Sequence, residues 1–367
     1  MIPYGKQDIN QADIDSVVDV LHSDFLTQGP KVIEFEKNLS DYCKAKYTKV
    51  VNNGTAALHL AYLAIGLKKD DIVWTTPNTF VATANSALYC GATIDFVDIN
   101  PKTYNLSIDC LKEKLIQAKE DNKLPKLVVP VHFAGQSCEM EEIWRLSQEY
   151  SFKVIEDASH ALGGEFQNKK IGCCEYSDMA VFSFHPVKMI TTGEGGAITT
   201  NNKQLDEKID LLRSHGITKN ATKFDNESDG GWYYEQQALG FNYRLTDIQA
   251  ALGISQLKRL DDFVAKRREI AKQYFDKLDN GILPYQHPDT NSSWHLFVIQ
   301  IENRRKTYKR LKEQEIMTQV HFIPVNTQPF YNRKTLKNSN IFYQHCLSLP
   351  IYADLTNSEQ NKVIHFL

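Results

Sequence analysis

The stretch VFSFHPVKMITTGEGGAI, residues 181–198, joins a short apolar segment to one lysine and a glycine-rich turn. The apolar residues 181–184 predict a buried β-strand, and Lys188 follows soon after its end. A lysine in this place can be an ordinary surface cation. It can also be a buried amine, and burial lowers the pKa of a lysine because it disfavours the charged form. Since a neutral amine can form a Schiff base with an aldehyde, Lys188 is a candidate catalytic residue.

The chain before this stretch alternates between short apolar segments and helical periodicities from about residue 48. Strands are predicted at residues 49–52, 72–75, 93–97, 127–132, 153–156, 179–184 and 197–200. Helices are predicted at residues 55–66, 81–89, 107–119 and 139–150. This order predicts an α/β fold with a mostly parallel sheet that helices cover on both faces.

Outside the alternating region, residues 11–22 have helical spacing, with Ile14, Val17, Val18 and Leu21 on one face. Residues 219–237, KNATKFDNESDGGWYYEQQ, predict a long loop because they are polar and contain glycine. Residues 248–278 predict one long helix. Its basic residues are interpreted as a solvated face rather than a binding patch; they are Lys266, Arg267, Arg268 and Lys272.

The long helix also marks the predicted domain boundary, near residue 255. Residues 1–255 would form an N-terminal arm and a large domain. Residues 256–367 would form a smaller α+β domain, with strands at 296–301 and 319–322. A chain of 367 residues is long enough for two domains.

Composition excludes several classes of protein. The formal net charge of −3 gives no electrostatic footprint for nucleic acid or an acidic membrane, so any anionic ligand must be held by local groups. The sequence shows neither a signal-peptide pattern nor an apolar run near the roughly 20 residues of a membrane span. The seven cysteines contain no CxxC pair, so no zinc or disulfide framework is predicted. These features together favour a cytoplasmic protein without a structural metal.

Three stretches fall at the carboxyl ends of predicted parallel strands, where ligands bind in open sheets. The first is VVNNGTAALHL, residues 50–60. The backbone N–H groups of Thr55 and Ala56 are expected to be free at the start of a helix, which favours a phosphate site. The alternative is a plain turn in which Thr55 caps the helix.

The second stretch is VIEDASHALGG, residues 154–164, where Asp157 ends an apolar strand. A buried carboxylate without a partner is costly, so Asp157 either caps the next segment or meets a positive ligand such as a protonated pyridine nitrogen. His160 could then reach a neighbouring ring oxygen. A structural aspartate is the alternative.

The third stretch is the one quoted first. Ser183 could add a hydroxyl to a phosphate site, and the glycines at 193–196 could let the backbone approach a cofactor or a second subunit. A dinucleotide site is not predicted because no GxGxxG follows an early strand. An amine, a carboxylate and a phosphate cup together predict a site for pyridoxal 5′-phosphate.

Six segments resemble the motifs of the nucleotide-sugar aminotransferases (DegT/DnrJ/EryC1/StrS type), a branch of the fold-type I pyridoxal-phosphate enzymes. They are LTQGPKVIEFE, NNGTAALHLA, TTPNTFVATAN, EDASHALGG, SFHPVK…TTGEGGAI and GFNYRLTDIQAALG. The similarity extends from about Tyr4 to Pro350. It implies a large domain with a mostly parallel sheet and a smaller C-terminal domain, as in aspartate aminotransferase.

The resemblance also implies roles for single residues. Lys188 would carry the cofactor, Asp157 would pair with the pyridine nitrogen, Phe80 would stack on the ring and His160 would lie near its phenolic oxygen. Three residues match phosphate-binding positions: Thr55, Ala56 and Ser183. Asn242, in GFNYR, matches a residue that reaches the phosphate from the other subunit, which implies a homodimer with shared active sites.

Within the family, TTPNTFVATAN, HFAGQSCEM and QVHFIP most resemble the branch that serves bacterial pseudaminic acid biosynthesis. This branch aminates C4 of a UDP-linked 4-keto-6-deoxy-N-acetyl sugar with L-glutamate. Several residues match its substrate-contacting segments: Tyr4, Asp24, Phe25, Leu26, Thr27, His321 and Phe322. The tyrosine-rich residues 230–235 depart from the pattern.

Two other functions fit the same fold. A sugar dehydratase of the family would have another residue, usually histidine, in place of Lys188. A non-catalytic binding or regulatory protein could keep the fold, because fold alone does not determine function. The presence of Lys188, Asp157 and Asn242 together favours an aminotransferase.

Overall fold

The computed structural model describes residues 1–331 and 334–367. Its helices are α1 (Gln11–Leu21), α2 (Pro30–Cys43), α3 (Gly54–Ala64), α4 (Val81–Tyr89), α5 (Ile108–Glu120), α6 (Met140–Tyr150), α7 (Lys203–Arg213), α8 (Asp247–Leu257), α9 (Leu260–Lys277), α10 (Arg304–Glu313), α11 (Lys337–His345) and α12 (Asn357–Phe366). Its strands are β1 (Tyr47–Val51), β2 (Ile72–Thr75), β3 (Thr93–Phe96), β4 (Leu127–Val129), β5 (Lys153–Asp157), β6 (Glu165–Phe166), β7 (Lys169–Lys170), β8 (Met179–Ser183), β9 (Gly196–Thr200), β10 (Ile217–Thr218), β11 (Glu235–Gln236), β12 (Thr290–Asn291), β13 (Phe297–Gln300) and β14 (Cys346–Leu349).

A seven-stranded sheet in the order β1–β9–β8–β5–β4–β2–β3 forms the centre of the protein. Strands β3, β2, β4, β5 and β8 pair in parallel, whereas β9 pairs antiparallel with both β8 and β1. The other six strands therefore all run in the same direction. This arrangement confirms the prediction of a mostly parallel sheet in an α/β fold.

Neighbouring residues on a strand pack into different cores on the two faces of the sheet. Val51 and Val181 belong to a core shared with α3, α4 and α7, whereas Val50 and Phe182 belong to a core shared with α2, α8 and α9. Because both faces are covered, the strands are nearly continuous apolar segments. This explains why their positions could be read from the sequence.

The direction of the strands places several loops at one edge of the sheet. The carboxyl ends of β1, β5 and β8 lie at this edge, together with the start of β9. In the ladder, Gly196 pairs with both Val51 and Ser183. The segments after Val51, Asp157 and Ser183 are thus neighbours in space, although they are far apart in sequence.

A further core lies in the C-terminal part of the chain, where β13 and β14 form an antiparallel pair. It contains Tyr274, Phe297 and Leu347, and also Ile2 from the N-terminal arm. The backbone of Ile2 pairs with the segment around Ile316. The N-terminal arm therefore packs on the C-terminal part of the chain, while a domain boundary near residue 255 stays a prediction.

Two predicted elements differ from the structure. The long helix at 248–278 is two helices, α8 and α9, which are separated at Lys258 and Arg259. The guanidinium of Arg259 bonds Asp8 and Asp13 at this break. The predicted strand at 319–322 is also wrong, since Gln319 forms only an isolated bridge with Ser348.

The predicted exposure of side chains on two helices, α9 and α1, also differs from the structure. Arg267 does not lie on a solvated face; it is 3% exposed, because its guanidinium donates to the backbone carbonyls of Trp294, His295 and Ile351. On α1 the buried side chains are Asp13 and Val20. Much of the predicted apolar face of α1 remains exposed; Ile14, Val18 and Leu21 are 47%, 40% and 55% exposed.

The loop at 219–237 follows β10 and contains β11, and these two short strands pair antiparallel. The Glu235 carboxylate accepts hydrogen bonds from the backbone N–H groups of Asp225 and Asn226 and from the Tyr233 hydroxyl. This anchor leaves Trp232 74% exposed. None of the helices within the described residues is long and apolar enough to cross a membrane.

Candidate active site

Lys188 lies in a turn just beyond β8, at the edge of the sheet where β1 and β5 also end. Its backbone N–H donates to the carbonyl of His185, 2.8 Å away. Burial lowers the pKa of the Lys188 amine to about 8, and the negative charge of Asp157 partly opposes this effect. A substantial fraction of the amine is therefore neutral near physiological pH, as the sequence predicted for a reactive lysine.

Three buried histidines share the electrostatic environment of Lys188. The pKa values of His160 and His295 lie well below the usual range, and that of His321 is about 3. Burial is the largest cause for each of them, and the positive charge of Lys188 contributes to all three. The three imidazoles are therefore neutral hydrogen-bonding groups at neutral pH.

The Asp157 carboxylate is 4% exposed and accepts three hydrogen bonds. Oδ1 accepts from the backbone N–H and the hydroxyl of Ser159, at 3.2 and 2.6 Å, and Oδ2 accepts from the Thr83 hydroxyl at 2.6 Å. The sequence did not identify these donors. Ser159 could have been found, because an aspartate side chain often accepts from the backbone N–H two residues later and closes a local turn. Thr83 lies 74 residues away and gives no local signal.

The ring of His160 packs near the rings of Phe322 and His295. It stacks on Phe322 with centroids 5.9 Å apart and an interplanar angle of 24°, and its centroid is 4.4 Å from that of His295. His160 Nδ1 is buried and has no hydrogen-bond partner. A buried polar atom without a partner is unusual, so this ring has unused capacity for a ligand. His295 was not predicted from the sequence.

The residues predicted to form a phosphate cup lie together where α3 begins and β8 ends, but the predicted pattern of free N–H groups differs at one residue. Asn53, not Thr55, caps α3, and its side chain accepts the Ala56 N–H at 2.8 Å. The expectation that the Ala56 N–H is free is therefore wrong; the preference of asparagine for the N-cap is the reason. The Thr55 N–H has no acceptor among the described residues.

Glycines bring the parts of the cup together. A Cβ on Gly54 would lie 3.0 Å from the Cβ of Ser183, so the start of α3 touches the end of β8. A Cβ on Gly196 would lie 2.6 Å from the carbonyl oxygen of Asn53. Glycine at 196 therefore allows a close approach to this chain's own backbone.

An aromatic group next to His160 contains four predicted residues. His321 lies 5.5 Å from Tyr4 and 5.0 Å from Phe322 between ring centroids, and Phe80 lies 6.4 Å from Phe322. His321 Nδ1 is 2.8 Å from the Ser348 hydroxyl. Phe80 is 60% exposed. The structure therefore brings the N-terminal arm, the start of α4 and residues 321–322 to the same place.

Five predicted residues lie elsewhere on the chain. Thr27 pairs with Thr246, and the Leu26 carbonyl accepts the Asp247 N–H, so Asp24, Phe25, Leu26 and Thr27 lie against the start of α8. Asn242 is exposed, while its neighbours Phe241 and Tyr243 pack against the core of their own chain. No hydrogen bond or ion pair within the described residues joins these five residues to Lys188.

The residues at the edge of the sheet fit pyridoxal 5′-phosphate. The group needs an amine that is neutral in part, a carboxylate for its ring nitrogen and donors for its phosphate. Lys188, Asp157 and the Thr55–Ser183 cup offer these groups, and the unpartnered His160 Nδ1 remains for the ring oxygen. No group of three or more metal-ligating side chains occurs in the part of the chain that the structure describes.

Several known proteins are similar to this chain over nearly its whole length. Residues 7–367 match the model of the DegT/DnrJ/EryC1/StrS aminotransferase family. A UDP-4-amino-4,6-dideoxy-N-acetyl-beta-L-altrosamine transaminase of Campylobacter jejuni is 40% identical, over 97% of this chain and 93% of the relative. The spore coat polysaccharide biosynthesis protein SpsC of Bacillus subtilis is 38% identical, over 99% of this chain and 95% of the relative.

A solved structure shows the same fold. Helicobacter pylori PseC, an aminotransferase involved in the biosynthesis of pseudoaminic acid, superposes with a TM-score of 0.91 at 35% identity, over 100% of this chain and 97% of PseC. The chain belongs to the DegT/DnrJ/EryC1/StrS aminotransferase family. The predicted family, the aminotransferase activity and the cofactor, pyridoxal 5′-phosphate, are confirmed.

Proposed function

We propose that the enzyme moves the amino group of L-glutamate to C4 of a UDP-linked 4-keto-6-deoxy-N-acetylhexosamine, giving UDP-4-amino-4,6-dideoxy-N-acetyl-beta-L-altrosamine. One observation carries the proposal: the Lys188 amine, with a pKa of about 8, lies at the edge of the sheet with Asp157 and with His160, whose Nδ1 has no partner. The similarity to the Campylobacter jejuni transaminase supports this choice of sugar.

Pyridoxal 5′-phosphate, when bound, supplies an electron sink for the carbon that loses a proton. Lys188 would hold the cofactor, and its Nζ would then accept a proton and return it, for which a pKa near the working pH is suited. Asp157 would keep a proton on the ring nitrogen. Phe80 would cover the ring, and Thr55 and Ser183 would bind the phosphate.

The sugar would lie against the aromatic group of Tyr4, His321 and Phe322. Aromatic faces pack on the apolar face of a sugar ring, and the Tyr4 hydroxyl and the neutral His321 imidazole can bond its hydroxyls. The diphosphate needs a cation because the protein has a net charge of −3. Arg244 is proposed for this role, since its backbone pairs with Val51 at the end of β1.

We further propose a homodimer in which each active site uses residues of both subunits. Asn242 is directed away from its own core and would reach the phosphate in the partner's site. The turn at 24–27 lies on the same face, because Thr27 pairs with Thr246. Ile14, Leu21 and Phe25 leave an apolar surface there that a second copy would cover; they are 47%, 55% and 53% exposed.

Two absorbance experiments test the proposal. The purified enzyme with pyridoxal 5′-phosphate is mixed with L-glutamate, and conversion of the cofactor to its amino form is recorded. A non-catalytic binding protein would show no change. The amino form is then mixed with UDP- and dTDP-linked 4-keto sugars. Fastest reoxidation by the UDP-linked N-acetyl sugar is expected; preference for another sugar, as the similarity to SpsC permits, would refute the substrate.

A further inference from the structure

We propose that Thr83 and Thr79 are positioning residues, which hold the Asp157 carboxylate through a chain of two hydroxyl hydrogen bonds. The inference rests on the proposed function, in which Asp157 pairs with the ring nitrogen of the cofactor. In addition to Ser159, a second segment of the polypeptide, the start of α4, would then hold the Asp157 carboxylate in place.

The distances determine which hydroxyl donates in each of the two hydrogen bonds. The Thr83 hydroxyl donates to Asp157 Oδ2 at 2.6 Å and lies 2.8 Å from the Thr79 hydroxyl. A hydroxyl has one proton, so Thr83, which gives its proton to the carboxylate, must accept from Thr79. Thr79 and Thr83 are 2% and 1% exposed, and water cannot easily replace either of them.

These two hydrogen bonds join the two parts of the site that would contact the cofactor ring. Thr79 directly precedes Phe80, the residue proposed to cover the ring, and Thr83 ends at the carboxylate proposed for the ring nitrogen. Ser159 holds the other oxygen of Asp157. With both oxygens bonded, the carboxylate cannot rotate without breaking a hydrogen bond, and such charge-assisted bonds are the stronger kind.

The Thr83 hydroxyl is not needed to hold the Thr83 backbone. The Thr83 carbonyl accepts from the Tyr62 hydroxyl at 3.0 Å, and the Thr83 N–H donates to the Phe80 carbonyl at 3.3 Å. A valine at this position has nearly the same shape and keeps both bonds. Thr83→Val therefore removes the bond to Asp157 and the acceptor of the Thr79 hydroxyl, while the two backbone bonds remain.

The test compares Thr83→Val, Thr83→Ser and Thr79→Val with the wild-type holoenzyme. Thr75→Val is the matched control, because the buried Thr75 hydroxyl donates only to the Val129 carbonyl. The readouts are the affinity of the apoenzyme for pyridoxal 5′-phosphate, the pH dependence of the absorbance of the bound cofactor and the rate of the glutamate half-reaction. Thr83→Val is expected to shift the pH profile and to slow the half-reaction on the order of 10- to 100-fold.

The remaining variants distinguish a role of the Thr83 hydroxyl in positioning Asp157 from a role of the side chain in packing. Thr83→Ser should restore the rate to within about threefold, Thr79→Val should show a smaller loss than Thr83→Val, and Thr75→Val should behave as wild type. If Thr83→Val does not fold, Thr79→Val still interrupts the chain one bond farther from Asp157. Wild-type behaviour of either valine variant that folds would overturn the inference.

Asp157→Asn distinguishes this inference from the proposed function. If Thr83 acts through Asp157, Thr83→Val should have no further effect in the Asp157→Asn background, whereas independent effects would multiply. Multiplying effects would overturn the inference. If Asp157→Asn slows the half-reaction but Thr83→Val does not, this inference alone fails. If Asp157→Asn reacts as wild type, the proposed role of Asp157 fails.

Discussion

The Asp157 carboxylate raises the pKa of the Lys188 amine against the larger, opposite effect of burial, and the amine keeps a pKa of about 8 instead of 10.5. The two residues follow different strands, β5 and β8, which pair in parallel. Their relationship therefore comes from the sheet and not from the local sequence. It makes the protonation of Lys188 depend on folding, which can be measured in the apoenzyme.

The first prediction concerns the stability of the apoenzyme between pH 8 and 10.5. The native lysine loses its proton near pH 8, while the unfolded lysine keeps its proton to about pH 10.5. The unfolded chain therefore binds more protons in this window, and the contribution of Lys188 to the free energy of unfolding rises with pH. Below pH 8 Lys188 is charged in the native state as well, and the burial of this charge lowers the free energy of unfolding by its full amount.

Urea unfolding of wild type and Lys188→Met measures this effect. The advantage of Lys188→Met in the free energy of unfolding should shrink as the pH rises from 8 to 10.5, by at most about 3 kcal/mol. Partial solvent contact of the residue makes this figure an upper limit. Lys266→Met, at an exposed lysine, gives the baseline. A difference that does not change with pH would contradict the lowered pKa.

The second prediction concerns Asp157→Asn. An amide cannot hold a proton on the ring nitrogen of the cofactor, so the variant should still bind pyridoxal 5′-phosphate but react with glutamate about 10²- to 10⁴-fold more slowly. Stopped-flow absorbance gives the rate, and Asp276→Asn, at an exposed aspartate, is the control. A rate within a factor of two of wild type would show that Asp157 has a structural role.

The sequence was sufficient to predict the sheet and to locate the residues at the ends of its strands. Strands covered on both faces are continuous apolar segments, so their ends, and with them Asp157 and Ser183, could be located. The rule that ligands bind at carboxyl ends then identified the edge. The same reasoning led to the prediction of Lys188 and His160 as site residues, and their roles remain predictions.

The sequence was not sufficient where a side chain meets a distant partner. Thr83 reaches Asp157 across 74 residues, and Arg267 is buried because it meets three carbonyls of other segments. Neither contact leaves a periodic pattern. The error at Ala56 is different, since Asn53 stood in the sequence as a preferred N-cap before a helix and its side chain takes the Ala56 N–H.

The third prediction tests whether Asn242 acts across the dimer. Lys188→Ala and Asn242→Ala should each be inactive or nearly so as homodimers. When the two chains are mixed, a hybrid dimer has one site with both native residues, and activity should return to at most half that of wild type per dimer. Asn357→Ala, an exposed asparagine on α12, should be active alone.

Tagged chains allow the hybrid dimer to be purified and its composition verified. If verified hybrids stay inactive, Asn242 serves its own chain and the shared site is wrong. If the protein is monomeric in solution but active, the homodimer itself is refuted. Recovery in the hybrid would also be expected for residues of the 24–27 turn, since Thr27 pairs with Thr246 close to Asn242.

The last prediction separates the sugar from the amino donor. Tyr4 and His321 lie 5.5 Å apart between ring centroids and belong to the aromatic group proposed to contact the sugar. Tyr4→Ala and His321→Ala should slow the reaction of the amino form of the enzyme with the keto sugar on the order of tenfold, because each removes a hydrogen bond and an aromatic face. The glutamate half-reaction should remain nearly unchanged.

The two half-reactions are measured separately by cofactor absorbance, and Tyr308→Ala, at a 39% exposed tyrosine on α10, is the control. His321→Ala also leaves the Ser348 hydroxyl without its 2.8 Å partner, so thermal unfolding must accompany the kinetics. His321→Asn keeps a polar group there and should retain more stability than His321→Ala. Equal loss in both half-reactions, with normal unfolding, would mean that Tyr4 and His321 support the cofactor, and the sugar would then have to lie elsewhere.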